Sequence, residues 1–427
     1  MNLPAFRTLL TPAGQEALAA TEALTPREAD FLAHFQTLSK RYPPDLARAA
    51  LETAILRREA GAKFPHATRM YFTRESLEQA TPAEVSAYRA ERYREFDQIA
   101  DLGCSIGGDT LALAQDALQR NRSGRLVTGL DLDPLRLHLA RANAQALALA
   151  DHTTFLQADL THPLPFSPFH PLPSSPYPLF SPSPLRPHTP TPLALFFDPA
   201  RRTDHRRAFS VRDYAPPLNI LRTWRTRFPA LGVKISPGVD LDELTEYDCE
   251  IEFISLNGEL KEACLWFGPL KTGERRATIL PGAFTLMGVG RRTPEFSLAP
   301  LSGPLAFLYE PDPAILRARL VTTLAEQLHA FQLDPAIAYL TSAELVQTPF
   351  ARAWPIEAWM PFNLKKLRAY LRERNVGRVT VKKRGSPLEP ESLIYALKLK
   401  GDEETVLVLT KRQGEPIVLI CAPQRAS

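Results

Sequence analysis

The chain has 427 residues, of which 44% are hydrophobic and 23% are charged. This length predicts two to four domains, and the composition is typical of a soluble globular protein. No apolar run is long enough to span a bilayer, and the first residues lack the basic and apolar regions of a signal peptide. We therefore expect a cytoplasmic protein without a membrane partner. The net charge of +4 is too small to indicate nucleic acid by itself.

The four cysteines are far apart and include no CxxC pair: Cys104, Cys249, Cys264 and Cys421. Zinc sites need cysteines at short spacing, and disulfide frameworks need regular pairs. We expect neither a metal site nor disulfides, and each cysteine is predicted to be a small buried residue.

Residues 1–95 are predicted to form a helical region. From residue 96 the pattern becomes an alternation of apolar strands and helices, which predicts a doubly wound α/β domain over residues 96–275. Its predicted strands lie at 98–103, 125–131, 153–159, 193–198 and 231–236, with helices at 109–120 and 133–150 and a hairpin turn at Asn257-Gly258. Ligands of such sheets bind at the carboxyl ends of the strands, so the residues that follow each strand are the informative ones.

Twelve of the 40 prolines fall within residues 163–192. Proline lacks the N–H group that helices and sheets use, so the segment 161–192 is predicted to be an irregular insertion in the α/β domain. It is either a tolerated surface loop or a ligand for a proline-binding partner.

The rest of the chain is expected to mix helices and strands. Residues 276–352 show short apolar strands and a helix at 312–331. Residues 353–427 show a basic helix, a strand, a second helix and two further strands, which predicts a small α+β domain.

The segment Asp101–Gly108 lies between the first predicted strand and the following helix. Glycines let the backbone turn tightly, and the helix start offers free N–H groups to an anion such as a methionine carboxylate. The next strand ends at Asp131, whose carboxylate can accept ribose hydroxyls because Asp133 and Pro134 already start the next helix. Asp159 ends the third strand, where it can meet an adenine amino group.

A nicotinamide dinucleotide is the alternative ligand for such a fold. The loop reads GCSIGG rather than GxGxxG, because Ser105 replaces the second glycine. The fourth strand ends in Asp198-Pro199, which dehydrogenases do not require.

Several motifs occur together in a fixed order: DLGCSIGGDT (101–110), GLDLDP (129–134), FFDPARR (196–202), VRDYAPPL (211–218), VKISPG (233–238), and then EFISLNGELKEACLWFG, PFNLKKLRAYLRE and VTVKKRG. In this combination, over roughly residues 40–425, the chain resembles a bacterial family of class I S-adenosylmethionine (SAM)-dependent methyltransferases with a C-terminal THUMP-like domain. The resemblance implies a Rossmann-like methyltransferase domain at 96–275, a ferredoxin-like module at 276–352 and a THUMP-like domain at 353–427.

The same resemblance implies SAM as the cofactor and gives SAM-binding roles to Gly103, Gly107 and Asp131. It places Asp198 and Pro199 where the methyl acceptor is held, as the candidate catalytic residues. The full candidate cofactor-binding set is Asp101, Gly103, Cys104, Gly107, Asp131 and Asp159. The proline-rich insertion departs from the family pattern and bears on the local role of Asp159.

The motif at the fourth strand leaves the acceptor atom open. Enzymes that methylate exocyclic amino groups of bases usually carry [DNS]-P-P-[FYW], whereas Asp198-Pro199-Ala200-Arg201 lacks the second proline and the aromatic residue. The DPAR sequence is also similar to RNA uracil-C5 methyltransferases, which need a cysteine nucleophile after the fifth strand. Residues 233–237 contain no cysteine, which excludes that chemistry.

Basic residues are concentrated in two segments. Five arginines within residues 201–212 are either phosphate contacts or a solvated loop paired with Asp204 and Asp213. Residues 365–384 hold nine basic side chains and one acid, which favours nucleic acid over a solvated helix face. The candidate RNA-binding residues are Arg201, Arg202, Lys365, Lys366, Lys382, Lys383 and Arg384.

The leading hypothesis is a SAM-dependent methyltransferase that acts on a nucleobase of RNA, either tRNA or rRNA. A methyltransferase for a protein or a small molecule is one alternative, and a non-catalytic RNA-binding protein is another. DNA is not excluded as the polymer.

Overall fold

The computed structural model describes residues 1–120, 124–166, 193–200, 202–203, 206–207, 210–288 and 299–423, with only the backbone described at 202–203 and 206–207. The chain divides into two compact units. Unit 1 comprises Met1–Glu250 and Glu262–Thr272, and unit 2 comprises Ile251–Lys261 and Gly273–Ser427.

The helices follow local signals of the sequence. The described residues form α1 (Leu3–Leu9), α2 (Pro12–Glu22), α3 (Phe31–Leu38), α4 (Pro44–Ala60), α5 (Arg74–Gln79), α6 (Ala83–Ala90), α7 (Gly108–Gln119), α8 (Pro134–Ala146), α9 (Leu221–Arg225), α10 (Pro313–Arg317), α11 (Val321–Gln327), α12 (Leu364–Glu373) and α13 (Pro390–Leu397). Asp133 caps α8, because its Oδ1 accepts a hydrogen bond from the Leu135 N–H at 2.8 Å. None of the helices in the described part of the chain is long and apolar enough to cross a membrane.

The strands belong to two larger sheets and one short hairpin. They are β1 (Gln98–Leu102), β2 (Leu126–Asp131), β3 (Thr153–Gln157), β4 (Ala194–Phe197), β5 (Arg202–Thr203), β6 (Arg206–Arg207), β7 (Leu231–Ile235), β8 (Glu250–Leu256), β9 (Glu259–Phe267), β10 (Arg275–Leu280), β11 (Phe284–Gly288), β12 (Phe307–Pro311), β13 (Phe331–Asp334), β14 (Ile337–Ser342), β15 (Ala351–Pro361), β16 (Val376–Lys383), β17 (Glu403–Arg412) and β18 (Glu415–Cys421). The hairpin pairs β5 with β6.

The sheet of unit 1 runs in the order β3-β2-β1-β4-β7-β9. Its first five strands in this order are parallel, and β9 is antiparallel to β7. β4 and β7 are buried along their whole length, as expected of strands covered on both faces. The chain proceeds from β1 to β2 and β3 on one side and returns to β4 on the other. The predicted doubly wound sheet is therefore confirmed, and the carboxyl ends of β1 and β4 form its topological switch point.

The N-terminal helices support this switch point. Asn143, buried on α8, accepts a hydrogen bond from the Tyr71 N–H at 2.7 Å and donates to the carbonyls of Tyr71 and Ile106 at 3.1 Å. Arg57 on α4 donates to the Met70 carbonyl at 2.8 Å. The segment before α5 is thereby tied to the loop that follows β1.

Unit 2 contains two groups of strands. β8 pairs in parallel with β10, which pairs antiparallel with β11. The predicted turn after β8 is present, since Asn257 and Gly258 have positive φ angles of 54° and 79°. The second group is a seven-stranded sheet in the order β13-β14-β12-β15-β18-β17-β16. Because β15 pairs with both β12 and β18, one sheet spans the predicted ferredoxin-like and THUMP-like segments.

The two faces of the seven-stranded sheet carry different cores. Leu367 of α12 and Leu393 of α13 pack with Leu407 of β17 on one face. Val408, the next residue of β17, packs with Trp354 on the other face. Alternation along the strands therefore decides whether a side chain meets the two helices or the cluster that contains Trp354 and Tyr339, which we call the aromatic cluster.

The helix predicted at 312–331 is wrong in its extent, because this segment forms α10 and α11. Arg319 adopts a left-handed conformation with a φ angle of 57°. The Leu320 N–H donates to the Ile315 carbonyl at 3.0 Å, which closes α10 with a Schellman-type end. Phe331 already belongs to β13.

Gly103→Ala is expected to lower the free energy of unfolding by about 2 kcal/mol or more. Gly103 has a φ angle of +85°, and an added Cβ would lie 2.6 Å from the Asp198 carbonyl oxygen. Gly108→Ala is the control, because a Cβ there meets no atom within 4 Å and alanine suits the start of α7. Urea unfolding followed by circular dichroism measures both variants. Equal stability of the two would contradict the close approach at Gly103.

Candidate active site

The loop after β1 lies against the ends of β2 and β4. The N–H groups of Gly103 and Cys104 donate to the Leu130 carbonyl at 2.8 and 2.9 Å, and the Asp198 N–H donates to the Leu102 carbonyl at 3.0 Å. Gly103 and Gly107 have positive φ angles of 85° and 86°. These angles let the backbone turn directly into α7, whose first N–H groups then face the same edge of the sheet.

Asp131 is oriented by two backbone groups. Its Oδ2 accepts a hydrogen bond from the Ser105 N–H, and its Oδ1 accepts one from the Asp133 N–H, each at 2.9 Å. The residue is 7% exposed. Each carboxylate oxygen has a second lone pair, so Asp131 can still accept hydroxyl groups of a ligand.

Asp101 has one buried carboxylate oxygen without a hydrogen-bond partner among the described residues. The residue is fully buried, and the Thr110 hydroxyl donates to its Oδ2 at 2.6 Å. Its Oδ1 is buried without a hydrogen bond from any described residue. Burial, followed by the nearby Asp109 carboxylate, raises the pKa of Asp101 to about 8. The group is therefore a protonated carboxyl at neutral pH in the absence of a cation.

Cys104 packs beneath the loop. An added Cβ on Gly129 of β2 would lie 2.9 Å from the Cys104 Sγ, which shows how closely the two strand ends are packed. Burial raises the pKa of the Cys104 thiol well above its ordinary value, so the group stays a neutral thiol. All four cysteines are buried and free, as predicted. No group of three or more His, Cys, Asp or Glu residues in the described part of the chain could hold a metal ion.

Asp159 lies in the turn after β3, next to Ala158, whose N–H donates to the Asp131 carbonyl at 3.1 Å. It is exposed, and its Oδ1 accepts hydrogen bonds from the Thr161 N–H at 2.9 Å and from the Thr161 hydroxyl at 2.7 Å. These bonds lower the pKa of Asp159. Most of the predicted proline-rich insertion, residues 167–192, lies outside the described residues.

Asp198 is paired with a lysine that the sequence analysis did not single out. Lys234 lies on β7, next to β4, and its Nζ is 2.6 Å from Asp198 Oδ2. The Lys234 side chain is 5% exposed and the Asp198 side chain is 24% exposed, whereas Pro199 is buried. The lysine end of the ion pair is therefore shielded from solvent, whereas the aspartate end is partly exposed. A lysine within the apolar run Leu231–Ile235 was a usable signal, because unpaired lysines are almost never buried.

Arg89 of α6 joins the same group of charges. Its Nη2 is 2.5 Å from Asp109 Oδ1 in α7, and its Nε is 2.8 Å from Glu262 Oε1 in β9. The guanidinium also lies 4.6 Å from the centre of the Phe196 ring. We call the five residues Arg89, Asp109, Asp198, Lys234 and Glu262 the buried charge cluster.

The cations of the buried charge cluster keep their protons. Burial lowers the pKa of Lys234, but Asp198 and then Glu262 outweigh this effect, so the pKa is raised. The pKa of Arg89 is raised against the effect of burial by Asp109 and Glu262. Lys234 can therefore donate hydrogen bonds at neutral pH but cannot act as a base.

Two of the predicted RNA-binding lysines are exposed to solvent. Lys365 and Lys366 are exposed in the first turn of α12 and form no ion pair with any described residue. Arg201 lies outside the described residues, and only the backbone of Arg202 is described, in β5.

The other three predicted basic residues point to opposite faces of the seven-stranded sheet. Lys382 Nζ is 2.6 Å from Glu310 Oε2, and Lys383 Nζ is 2.6 Å from Glu389 Oε1. Arg384 lies 5.2 Å from the centre of a tyrosine ring of the aromatic cluster. The basic run of the sequence is therefore divided between the faces, and two of its lysines are already paired.

The fold and the site define a class I methyltransferase. The crystal structure of a "putative methyltransferase" from Porphyromonas gingivalis W83 has the same fold, with a TM-score of 0.72 and 20% sequence identity over 94% of this chain and all of that chain. The chain is 30% identical over 395 residues to an uncharacterized S-adenosylmethionine-dependent methyltransferase of Mycobacterium tuberculosis, in strains CDC 1551 and H37Rv. This match covers 89% of the chain and 98% of those proteins. The chain therefore belongs to the SAM-dependent methyltransferases, and its cofactor is SAM.

Two family models match parts of the chain. Residues 351–423 match the model described as THUMP domain-like. Residues 2–60 match a domain of unknown function, DUF8688.

The residues at the switch point fit SAM. The unpartnered Oδ1 of Asp101 suits an ammonium group, and the N–H groups at the start of α7 suit a carboxylate. The remaining lone pairs of Asp131 suit ribose hydroxyls. Methionine carries the first two groups and adenosine carries the third.

Asp131→Ala is expected to weaken SAM binding at least about tenfold, because charge-assisted hydrogen bonds contribute about 1.5–3 kcal/mol each. Asp133→Ala is the matched control, since it removes a neighbouring carboxylate that caps α8 and pairs with Arg136 at 3.7 Å. That control should lower stability by about 1 kcal/mol and leave SAM affinity nearly unchanged. Isothermal titration calorimetry on both variants measures the affinity, and equal affinities would contradict the ribose role of Asp131.

Asp101→Asn is expected to change how stability depends on pH. The folded protein keeps the Asp101 proton up to a pKa of about 8, whereas the unfolded chain loses it near the ordinary value of 3.8. Between these values the folded state binds more protons, so the free energy of unfolding falls as pH rises. The variant lacks this effect and should gain more than about 1 kcal/mol relative to the wild type between pH 5 and pH 8. Urea unfolding without cofactor tests this, and parallel pH curves would contradict it.

Proposed function

We propose that this enzyme transfers the methyl group of SAM to a nucleobase of RNA, in a tRNA or an rRNA. The observation that carries the proposal is the THUMP domain-like match over residues 351–423. The same segment contains α12, whose first turn presents Lys365 and Lys366 to solvent. Unpaired cations on an exposed helix are the chemistry that phosphate backbones attract.

The proposed cofactor site uses the loop after β1. Gly103, Cys104 and Gly107 shape the backbone around the methionine part, and Asp101 accepts a hydrogen bond from its ammonium group. Asp131 accepts the ribose hydroxyls, and Asp159 is the candidate partner of the adenine amino group. When bound, SAM supplies a methyl carbon whose bond to the positively charged sulfur breaks, with the electron pair left on sulfur, as the acceptor atom bonds to that carbon.

The proposed acceptor site lies on the other side of the switch point. Asp198 and Pro199 follow β4 directly, and the Asp198 backbone lies against Gly103. The acceptor atom and the methyl group are thus aligned by two neighbouring strand ends, which is the main task of an enzyme for an in-line displacement. The two arginines of the DPARR sequence, Arg201 and Arg202, are proposed as phosphate contacts beside this site.

The purified protein, supplied with SAM that carries a radiolabelled methyl group, is expected to label total cellular RNA. RNase treatment should remove the label. Label that resists RNase, or an absence of label in a protein that binds SAM, would contradict the proposal and favour a protein or small-molecule acceptor.

Two double variants test the role of the basic helix when RNA binding is measured at several salt concentrations. Lys365→Ala with Lys366→Ala should weaken RNA binding and reduce the slope of log affinity against log salt by up to about 1.4 for single-stranded contacts. Lys382→Ala with Lys383→Ala removes the same charge, but these lysines pair with glutamates. Its effect should be clearly smaller, and equal effects of the two double variants would argue against α12 as the RNA contact.

A further inference from the structure

The ion pair of Lys234 with Asp198 orients the carboxylate at the proposed methyl-acceptor site. Lys234 Nζ donates a hydrogen bond to Asp198 Oδ2 at 2.6 Å. The buried lysine therefore fixes the orientation of the carboxylate. Within the described parts of the chain, no donor forms a hydrogen bond with Asp198 Oδ1. The Asp198 side chain is 24% exposed, so the described residues leave part of the carboxylate open to a ligand.

The Asp198 backbone carbonyl packs against the glycine loop, 2.6 Å from the position that a Cβ on Gly103 would take. The carboxylate oxygen Oδ1 is therefore the acceptor that we consider for a ligand. A primary amino group has N–H bonds and matches this acceptor. A carbonyl oxygen or an unprotonated ring nitrogen has only lone pairs and would be repelled.

The rest of the buried charge cluster stabilises the charged form of Lys234. β7 lies between β4 and β9, and Glu262 of β9 raises the pKa of Lys234 after Asp198. Arg89 lies 2.8 Å from Glu262. The ion pair with the buried lysine restricts Asp198, and an acceptor that is held before binding positions a substrate better than a mobile one.

We infer that Lys234 is a positioning residue that fixes Asp198 as a hydrogen-bond acceptor, and that the pair selects an exocyclic amino nitrogen of the base as the methyl acceptor. This inference rests on the proposed function, because it assumes an RNA base at the switch point. Lys234 acts through Asp198 and does not touch the reacting atoms.

Methylation of an amino group leaves one excess proton on the nitrogen, which must be removed. The nitrogen lone pair forms the bond to the methyl carbon while the carbon–sulfur bond breaks and leaves its electron pair on sulfur. The methylated nitrogen then carries one proton in excess, which passes to Asp198 Oδ1 and from there to water. Lys234 keeps its own proton throughout, and the product is an N-methylamino base.

Lys234→Met is expected to lower kcat for RNA methylation by about tenfold or more, with the SAM dissociation constant and the KM for RNA little changed. Lys234→Arg keeps a cation for Asp198 and should recover part of kcat. The double variant Lys234→Met with Asp198→Ala should be no slower than Asp198→Ala alone, because Lys234 acts only through that carboxylate.

Lys271→Met is the control. Lys271 pairs with Asp248 at 3.0 Å. It comes after Phe267 in the chain, and Phe267 pairs with the first residue of β7. Lys271 therefore lies at the edge of the sheet opposite to Asp198. Its kcat should equal that of the wild type. If Lys234→Met does not fold, Lys234→Arg carries the test, because an arginine variant with wild-type KM and lowered kcat still reports the orientation of Asp198.

Nuclease digestion and mass spectrometry of wild-type product identify the methylated atom. A methyl group on an exocyclic amino nitrogen is expected. A methyl group on oxygen, carbon or a ring nitrogen would overturn this inference and leave RNA methylation standing. An unchanged kcat in Lys234→Met, or additive losses in the double variant, would overturn the positioning role. If the wild type labels no RNA, the proposed function fails, and this inference fails with it.

Discussion

Ion pairing within the buried charge cluster is the constraint on which the site depends. Lys234 and Arg89 are buried, and removing one partner from a buried pair costs about 3–5 kcal/mol. Their acidic partners come from the start of α7, the end of β4 and the middle of β9. Pairing therefore requires these elements to be in register. The same ion pairs also orient Asp198, whose carboxylate pairs with Lys234 and is partly exposed to solvent.

The two sides of the switch point use different physical means. On the proposed cofactor side, backbone geometry dominates: positive φ angles at Gly103 and Gly107 bring N–H groups and Asp131 to one edge. On the proposed acceptor side, side-chain charge dominates, through the Lys234–Asp198 pair. The two sides meet where Gly103 passes the Asp198 carbonyl without room for a Cβ. A substitution at this contact would disturb both sides at once.

In unit 2, the basic run of the sequence does not form one continuous basic surface. Lys365 and Lys366 remain unpaired on α12, within the described residues, whereas Lys382 and Lys383 each meet a glutamate. The residues of β16 alternate between the helix-covered face and the aromatic face, so adjacent cations cannot act on one partner. The proposed RNA contact is therefore smaller than the basic composition suggests.

The sequence by itself determined the features that depend on a few neighbouring residues. These are the glycine loop after β1, the cap at Asp133, the turn at Asn257-Gly258, and Asp131 at the end of its strand. Local patterns did not reveal the break at Arg319, because arginine rarely adopts the left-handed conformation that ends α10 there. Only the tertiary structure decided that Lys234 pairs with Asp198 and that Arg89 pairs with Asp109 and Glu262. The reason is physical: ion pairs between distant segments depend on strand order and register, which the hydrophobic pattern of each segment does not encode.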